Sequence, residues 1–537
     1  MFNRRDFLKA AAATGGLGLT GKINALTSRC QDSNGFFGVH PFVEAHPEAV
    51  FIMRTNVDIK TNKEAKVATG LEFGRSIFVP KSQEDGGVPL THTIGIKPNL
   101  TSRGSWQSKG YTVEGTMGVI TDAYFVEGVI GGLTELGFTG DQIHVRETNT
   151  SASEMITGGY TGMSLRTGVT LKVNSAAVGT ISAEELTWVD VPDGYWFRKI
   201  PYLYPFNAPD SYLISIGKFK THGMGVTLAS KNIQGMICHN YQEFCGGYAK
   251  ITMSDDHMNP NAFDDIKNSY ESHKDSIPRW YMAGTSATTS GLGMETWVHR
   301  TLDNHSVSKS GIHIIEGIYG RDGGGFTYGP HPDGNKDDLA MDYMTNIIIF
   351  GKNPFYVDNV GHWLAGHEPG NFGLFHIAIE RGLSSELNPM RIPVYEWFAD
   401  GTATLTPLTD FERTPLVTYY MQEEGEDYWH MLDEPYEYST VTAVKEKNKP
   451  EAFILGQNHP NPFNPYTSIQ YTLPTSGNAR LEIYNSSGQL VDVLVNGYQN
   501  AGSHLAVWNT NNHASGVYFY RFRFGGLTET RKMSLLK

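Results

Sequence analysis

Four lysines lie in short polar segments that follow apolar stretches of the chain: Lys97, Lys218, Lys220 and Lys231. Their ammonium groups favour an anionic ligand, and the nearby His222 can exchange a proton near neutral pH. Asn99 and Asn232 can orient a carboxylate or a phosphate, because an amide side chain offers both hydrogen-bond donors and an acceptor. These residue types predict a site that binds a small anion.

Two pairs within this set allow alternative interpretations. Lys220 and His222 are two residues apart, so on an extended segment their side chains share a face, which suits an acid/base pair in catalysis. The alternative is a loop in which His222 only contacts backbone carbonyls. For Lys231-Asn232 we expect anion binding, and the alternative is the N-terminal turn of a helix with a solvated lysine.

Two carboxylates offer hard oxygen ligands for a metal. Glu147 and Asp358 can coordinate a divalent ion together with Asn99, since such ions prefer carboxylate and amide oxygens. Asp358 also has a structural interpretation, in which it complements the positive end of a helix that starts near Phe355. The sequence is therefore compatible with a bound divalent metal ion, but it does not identify the element.

A glycine-rich segment lies near these residues in the expected fold. It reads Gly320-Arg321-Asp322-Gly323-Gly324-Gly325, and its backbone N–H groups can bind the same anion, with Asp322, Gly323 and Gly324 as ligand-binding residues. Its spacing matches neither the dinucleotide-binding nor the P-loop pattern. A plain glycine-rich turn is the alternative.

A strand–helix–strand unit is expected to position the first of these residues. His92 to Ile96 forms a strand that stops at Lys97-Pro98-Asn99, and a helix begins at Thr121-Asp122 and ends at Gly137. Gln142 to Arg146 forms the next strand, with Glu147 at its end. The length of this unit favours parallel pairing of its two strands.

The same succession of an apolar strand and polar residues recurs three more times. The strands are Tyr212–Ile216, Ile312–Ile315 and Asn346–Phe350, and the last leads into Lys352-Asn353-Pro354. We therefore predict an α/β domain with a mainly parallel sheet and helices on both faces. Since ligands of such sheets bind at the carboxyl ends of the strands, all five segments are expected to place their polar residues at one edge.

Composition restricts the function classes. The chain has 537 residues, 39% of them hydrophobic and 18% charged, which predicts several folded domains. The net charge of −13 disfavours a general nucleic-acid binder, because such proteins need a basic surface for the phosphates. With three cysteines the chain is no disulfide scaffold, and Cys238 and Cys245 either pair after export or remain two buried thiols.

The amino terminus has the pattern of an export signal. Arg4-Arg5 precede Asp-Phe-Leu-Lys, and a mildly apolar run from Ala10 to Leu19 follows. This pattern resembles a twin-arginine signal peptide, and we expect residues 1–25 to be removed. The resemblance implies the twin-arginine translocase as a partner. No other stretch approaches the roughly 18 apolar residues that a membrane helix needs, so no membrane segment is expected in the mature protein.

The carboxyl-terminal region has a different pattern. Short segments in this region alternate apolar and polar residues, and in one of them Ile469, Tyr471 and Leu473 share a strand face. This pattern predicts an all-β, immunoglobulin-like sandwich over 453–537. The entry segment Gly456-Gln457-Asn458-His459-Pro460-Asn461-Pro462-Phe463 and the final Thr530-Arg531-Lys532-Met533 resemble the C-terminal sorting domain of type IX secretion cargo. This resemblance implies recognition by the type IX machinery and release or anchoring at the cell surface.

The central segments also carry a family resemblance. They are Ile96-Lys97-Pro98-Asn99, the Thr121–Gly137 helix with Glu147, Lys220-Thr221-His222 with Lys231-Asn232-Ile233-Gln234-Gly235, the region of Glu316 and Asp322-Gly323, and Asn353-Pro354 with Asp358. In this order, over roughly residues 90–385, they resemble the family called domain of unknown function 362. Members often carry ferredoxin-like cysteine modules, but this chain lacks a Cys-x-x-Cys-x-x-Cys run. No cysteine-ligated iron–sulfur cluster is therefore expected from it.

The expected organisation is a signal peptide at 1–25, an α/β domain at 26–405, an acidic and aromatic extension with a linker at 406–452, and the sandwich. We expect an exported, surface-delivered protein that binds a small anionic ligand. It is then either a metal- or cofactor-dependent enzyme of unestablished reaction, with Lys220 and His222 as catalytic residues, or a non-catalytic surface protein that captures an anionic metabolite or glycan. The family resemblance indicates which residue positions belong to the site, and it implies no established reaction.

Overall fold

The computed structural model describes residues 35–100, 118–148, 150–173, 178–222, 225–238, 241, 248, 256–278, 280, 291–322, 341–416, 435–438, 453–458, 461–473, 477–499, 502–510, 513–525 and 527–536. The chain divides into two compact units between Tyr438 and Ser439. The first unit extends past residue 405, because Leu416 N–H donates to the Ala365 carbonyl and the Tyr438 hydroxyl donates to Glu368. Part of the predicted extension thus packs on the α/β unit.

The first unit contains fifteen strands among the described residues. They are β1 Phe36–Val39, β2 Val50–Arg54, β3 Phe78–Lys81, β4 Val88–Pro89, β5 Thr93–Pro98, β6 Ile143–Glu147, β7 Thr170–Val173, β8 Leu186–Asp190, β9 Lys199–Leu203, β10 Ser211–His222, β11 Gly225–Thr227, β12 Ser310–Arg321, β13 Asp342–Gly351, β14 Val394–Trp397 and β15 Ala403–Leu405.

The helices of the described residues lie in the same unit. They are α1 Pro41–Glu44, α2 Lys63–Ile77, α3 Ala123–Leu136, α4 Ala152–Thr157, α5 Tyr160–Thr167, α6 Ala229–Asn232, α7 Ala262–His273, α8 Gly291–Val307, α9 Pro354–Leu364 and α10 Gly373–Glu380. A 3₁₀ turn, Ile233–Met236, follows α6 directly. None of these described helices is long and apolar enough to cross a membrane.

The central sheet has the order β15-β14-β2-β13-β12-β10-β5-β6-β7, with β11 paired to β10. Five neighbouring pairs are parallel, and β12-β10-β5-β6-β7 form an uninterrupted parallel block. The predicted α/β fold is therefore confirmed, with antiparallel strands added on the β13 side.

Side-chain alternation along the strands explains the layers. On β2, Phe51 and Met53 belong to one buried cluster, whereas Val50 and Ile52 belong to another. The first cluster includes Phe73 of α2 and Val126 of α3. The second includes Val357 of α9. Because successive strand residues point to opposite faces, the sheet needs helices on both faces, as predicted.

The predicted strand–helix–strand unit is confirmed as β5-α3-β6. The Asp122 carboxylate accepts hydrogen bonds from the N–H groups of Tyr124 and Phe125 at the start of α3. Gly137 ends the helix at φ +116°, a left-handed conformation that glycine adopts without strain. β5 and β6 then pair in parallel.

The predicted position of Lys352-Asn353-Pro354 is wrong. β13 runs antiparallel to both β12 and β2, so its carboxyl end lies at the opposite edge from those of β5, β6, β10 and β12. Hydrophobic periodicity is the same in either direction, which is why the sequence pattern did not reveal this reversal.

Two strands are longer than predicted. β10 continues from Ser211 to His222, and β12 continues from Ser310 to Arg321. Lys218 and Lys220 therefore lie within a strand and not in a loop after it. The ladder continues through these residues because Lys218 pairs with Glu316 on the neighbouring strand, which neutralises both charges inside the protein.

The second unit is an all-β sandwich, as predicted. One sheet contains β16 Ile454–Leu455, β17 Tyr466–Leu473 and β20 Gly502–Asn509, and the other contains β18 Gly477–Asn485, β19 Leu490–Gln499, β21 Gly516–Phe524 and β22 Leu527–Leu535. Ile469, Leu481 and Tyr520 from both sheets share one buried core.

Candidate functional site

Six ionisable side chains meet at one edge of the parallel block. We call them the edge cluster, and they are Lys97, Glu147, Lys218, Lys220, Glu316 and Arg321. They come from β5, β6, β10 and β12, whose carboxyl ends lie side by side. All six are buried, with 3% exposure or less. Because a buried charge is costly unless it is compensated, the contacts among them decide what the cluster can do.

Lys97 and Glu147 form the first buried ion pair. The Lys97 ammonium lies 2.7 Å from Glu147 Oε2 and also donates to the Pro98 carbonyl and to Asn232 Oδ1. Burial lowers the pKa of Lys97, and Glu147 opposes this effect. Gly235 lies against the pair, since a Cβ there would come within 2.0 Å of Glu147 Oε1.

Lys218 and Glu316 form the second pair, within a wider network. Their charged atoms are 2.7 Å apart, and Glu316 also accepts from the Asp122 N–H. Asp122 in turn accepts from the ammonium of Lys66 and the hydroxyl of Tyr319, each at 2.6 Å. Burial raises the pKa of Glu316, although Lys218 opposes it. This network joins α2, α3, β10 and β12.

Lys220 has a different electrostatic environment. Its side chain is fully buried, and burial lowers its pKa well below the usual range. Three cations, Lys231, Arg321 and Lys218, lower that pKa further, and Glu147 opposes them. These surroundings disfavour the ammonium form of Lys220 relative to that of an ordinary exposed lysine.

His222 lies at the end of the same strand. β10 pairs with β11 in a hairpin, with Lys220 opposite Thr227 and His222 opposite Gly225. The segment is therefore extended, as an acid/base pair on one strand face requires. His222 is partly exposed, whereas Lys220 is not. Their catalytic role stays a prediction.

The predicted Lys231-Asn232 pair occupies the end of α6, a helix of four residues. Asn232 donates to the Lys97 carbonyl at 2.9 Å and to Ser215 Oγ at 3.0 Å, so its amide connects β5 to β10. Lys231 is partly exposed, and its ammonium lies 5.9 Å from the centre of the Trp297 ring. Asn99 is buried, and its N–H donates to Thr121 Oγ1.

Arg321 is fixed by a third ion pair. Its guanidinium lies 2.7 Å from Asp342 Oδ1, and Lys60 lies 2.6 Å from the other oxygen of the same carboxylate. The next residue, Asp322, accepts a hydrogen bond from the Tyr343 hydroxyl at 3.0 Å. Gly323 and Gly324 lie outside the described residues, so their predicted role in anion binding stays a prediction.

The two carboxylates expected to bind a metal have separate partners. Glu147 contacts Lys97 and the N–H groups of Leu100 and Thr148. Asp358 accepts from the N–H groups of Ala229 and Ser230 at 2.6 and 2.9 Å, so it caps α6 and not the helix that carries it. The described residues contain no group of three or more His, Cys, Asp or Glu side chains that fits a metal ion. The contacts that the structure describes do not favour a metal ion held jointly by Glu147 and Asp358. Metal binding by these two residues stays a prediction.

Sequence reasoning missed Lys66, Tyr319 and Asp342 as members of the buried charge networks. A signal existed for Lys66, because it lies three, four and seven residues before Thr69, Gly70 and Phe73 on the buried stripe of α2. A lysine on an otherwise buried helix face needs a partner inside the protein. Cys238 is fully buried, and Cys245 lies outside the described residues.

Three family models match the chain. The model for a domain of unknown function (DUF362) matches residues 94–362. The model for the secretion system C-terminal sorting domain matches residues 458–535, and that for the twin-arginine translocation pathway signal sequence matches residues 1–21. No curated protein and no solved structure matches this chain. The two terminal matches show an exported protein delivered to the cell surface.

Proposed function

The chain belongs to the DUF362 family, and on that premise we propose that its α/β unit binds a small anionic ligand at the edge cluster. The observation that carries this proposal is the environment of Lys220. A buried amine surrounded by Lys231, Arg321 and Lys218 is a place where an anion relieves electrostatic repulsion.

The other cationic side chains of the edge cluster have carboxylate partners. Lys97 and Lys218 each have a carboxylate at 2.7 Å, so their charges are already compensated inside the protein. Arg321 shares the Asp342 carboxylate with Lys60, which leaves this group of three side chains with one more positive than negative charge. The cations that act on Lys220 are therefore concentrated near Lys220 and Arg321. A phosphate or carboxylate bound there restores the balance.

Ligand binding is expected to change the protonation of Lys220. In the free protein burial and the neighbouring cations lower the pKa of Lys220, and an adjacent anion raises it again by stabilising the ammonium form. Binding is therefore coupled to proton uptake, and the affinity for the anion falls as the pH rises. This coupling separates the proposed site from a surface patch of ordinary lysines, which are charged before and after binding.

An enzymatic use of the same site is the second candidate. An amine whose pKa is lowered by burial and by neighbouring cations is a better base and nucleophile at neutral pH than an ordinary lysine. His222 lies two residues further along the same strand and is accessible enough to exchange protons with solvent. The non-catalytic alternative is a surface protein that captures an anionic metabolite or glycan at the same cations.

The test is isothermal titration calorimetry with inorganic phosphate on the exported chain. Two buffers of different ionisation enthalpy report the protons taken up. We expect binding with proton uptake, and affinity at least about tenfold weaker in Lys220→Met, as for the loss of a charged hydrogen bond. Lys267→Met removes an exposed lysine of α7 and serves as the control. Equal phosphate affinity in Lys220→Met and wild type contradicts the proposal.

A further inference from the structure

A second concentration of polar groups lies at the opposite edge of the sheet, where β12 begins and β13 ends. A cavity of about 320 Å³ is present there. Its lining includes His305, Ser308, Ser310, His313, Lys352 and Phe355. The antiparallel direction of β13 brings Lys352 to this cavity and away from the edge cluster. The cavity is thus separate from the site proposed above, and nothing in that proposal uses it.

His313 is the most deeply buried polar side chain of the lining. It is 3% exposed and lies on β12 between Ser215 of β10 and Gly351 of β13. Among the described residues, neither ring nitrogen of His313 has a hydrogen-bond partner, and Nδ1 is fully enclosed. A buried imidazole without partners is unusual, because most buried polar groups are hydrogen-bonded.

His305 is held in a defined tautomer beside it. Its Nε2 lies 2.8 Å from the Ser230 carbonyl, which can only accept, so Nε2 carries the proton. The lone pair of the neutral ring is therefore on Nδ1. The His305 ring packs edge-on against Phe355 at 5.0 Å, and its centre is 6.0 Å from that of His313. The two imidazoles face a common space.

The polar groups that line the cavity favour an anion over a cation. Lys352 Nζ donates to the Gly311 carbonyl at 2.7 Å and lies 3.1 Å from Glu44 Oε1. Pro354 and Phe355, at the amino terminus of the eleven-residue helix α9, line the same cavity, and this end carries the positive pole of the helix dipole. No Cys, Asp or Glu is among the described residues that line the cavity, so a metal ion would have two histidines and a nearby ammonium.

The walls between these polar groups are apolar. Pro47, Pro354, Phe355 and Leu383 form these walls, and the polar Asn353 completes the lining. A ligand that fits must therefore combine a compact anionic group with an apolar body, since ligand pockets of this kind pair apolar walls with few polar anchors. A free inorganic ion would leave the apolar walls without contacts.

We propose that this cavity binds a small organic carboxylate, with the carboxylate against His313 and Lys352 and the apolar body against Phe355 and Leu383. The titratable groups facing it are the two histidines and Lys352, with Glu44 on the far side of Lys352. Burial, His305 and Lys352 hold the pKa of His313 well below its usual range in the free protein. A bound carboxylate reverses that balance, so binding takes up a proton.

Benzoate is the probe, titrated into the full exported chain by calorimetry between pH 8 and pH 6. We expect the affinity to rise by up to about tenfold per pH unit as the pH falls, the limit for uptake of one proton. His313→Phe keeps an apolar ring at the position and is expected to weaken binding at least about tenfold. Lys352→Met is expected to act in the same direction, and the exposed control Lys267→Met is expected to bind as wild type does.

Three outcomes overturn the proposal. They are absence of benzoate binding to wild type, unchanged affinity in both His313→Phe and Lys352→Met, and loss of binding in Lys220→Met with retention in His313→Phe. The last assigns benzoate to the edge cluster. The melting temperature shows whether His313→Phe folds. If it does not fold, benzoate affinity in Lys352→Met and the pH dependence in wild type still test the proposal. Lys352 is partly exposed, so its replacement leaves the core intact.

Discussion

Lys218 on β10 and Glu316 on β12 stand directly opposite each other in the parallel register, and their charged atoms are 2.7 Å apart. Both side chains are fully buried, and the Lys218 ammonium also lies 3.6 Å above the Tyr319 ring. An ion pair so enclosed contributes little net stability but makes each partner depend on the other.

Glu316→Gln is expected to destabilise the α/β unit by about 3–5 kcal/mol, because it leaves the Lys218 charge buried without its counter-charge. The measurement is differential scanning calorimetry of the full chain. The double variant Lys218→Met/Glu316→Gln removes both charges and keeps an acceptor for the Asp122 N–H, so it is expected to melt closer to wild type than Glu316→Gln does. A double variant as unstable as Glu316→Gln would show that packing, and not charge, explains the loss.

Lys220→Met is expected to stabilise the protein by about 1–3 kcal/mol in the absence of ligand, because it replaces a buried amine among cations by an apolar side chain of similar length. The sign follows from the lowered pKa of Lys220. A base whose pKa is lowered on folding is a destabilising group below its unfolded pKa. The melting temperature of Lys267→Met is the control. A lower melting temperature for Lys220→Met would contradict the assigned environment.

Gly235→Ala is expected to destabilise the α/β unit by about 1–3 kcal/mol and to weaken phosphate binding. The new Cβ would lie 2.0 Å from Glu147 Oε1 and 2.5 Å from Lys97 Cε, so the ion pair must move. Gly131→Ala is the matched control, because its Cβ meets only the flexible end of Leu71 at 3.2 Å. Equal melting temperatures for the two variants would show that the pair adjusts without cost.

His273 is expected to make stability depend on pH. Burial lowers the pKa of His273, but hydrogen bonds to Glu295 and Glu380, at 2.9 and 2.7 Å, outweigh it and raise the pKa to about 9. A histidine whose pKa is raised on folding contributes stability that is complete below the unfolded pKa and is lost as the pH rises through the folded value.

The melting temperature is therefore expected to fall between about pH 6.5 and pH 9, and His273→Gln is expected to flatten that dependence. A series of calorimetric scans across this range measures both. An unchanged slope in His273→Gln would assign the pH dependence to other groups.

Export is expected to need both termini. Replacing Arg4 and Arg5 together by lysine should retain the chain in the cytoplasm, because the paired arginines identify the twin-arginine route. Truncation after Tyr438 removes the sorting domain and should leave the protein inside the outer membrane. Cell fractionation with an antibody against the α/β unit measures both effects. Surface delivery of the truncated chain would contradict the role assigned to the second unit.

The sequence by itself determined the local elements. The cap at Asp122, the left-handed Gly137 and the alternating Ile469, Tyr471 and Leu473 were all predicted, because capping, glycine conformation and strand alternation depend on residues close in the chain. The positions of Lys97, Lys218 and Lys220 at the carboxyl edge of the parallel block also followed from strand and helix order.

Tertiary structure alone decided which charged side chains pair with each other and in which direction β13 runs. Lys97 pairs with Glu147 over 50 residues and Lys218 with Glu316 over 98, and no local pattern specifies such contacts. Asp358 caps α6 because the two helices pack together, although the sequence suggested its own helix. The reversal of β13, which moves Lys352 to the opposite edge, depends on strand pairing across the sheet, and apolar periodicity carries no information on direction.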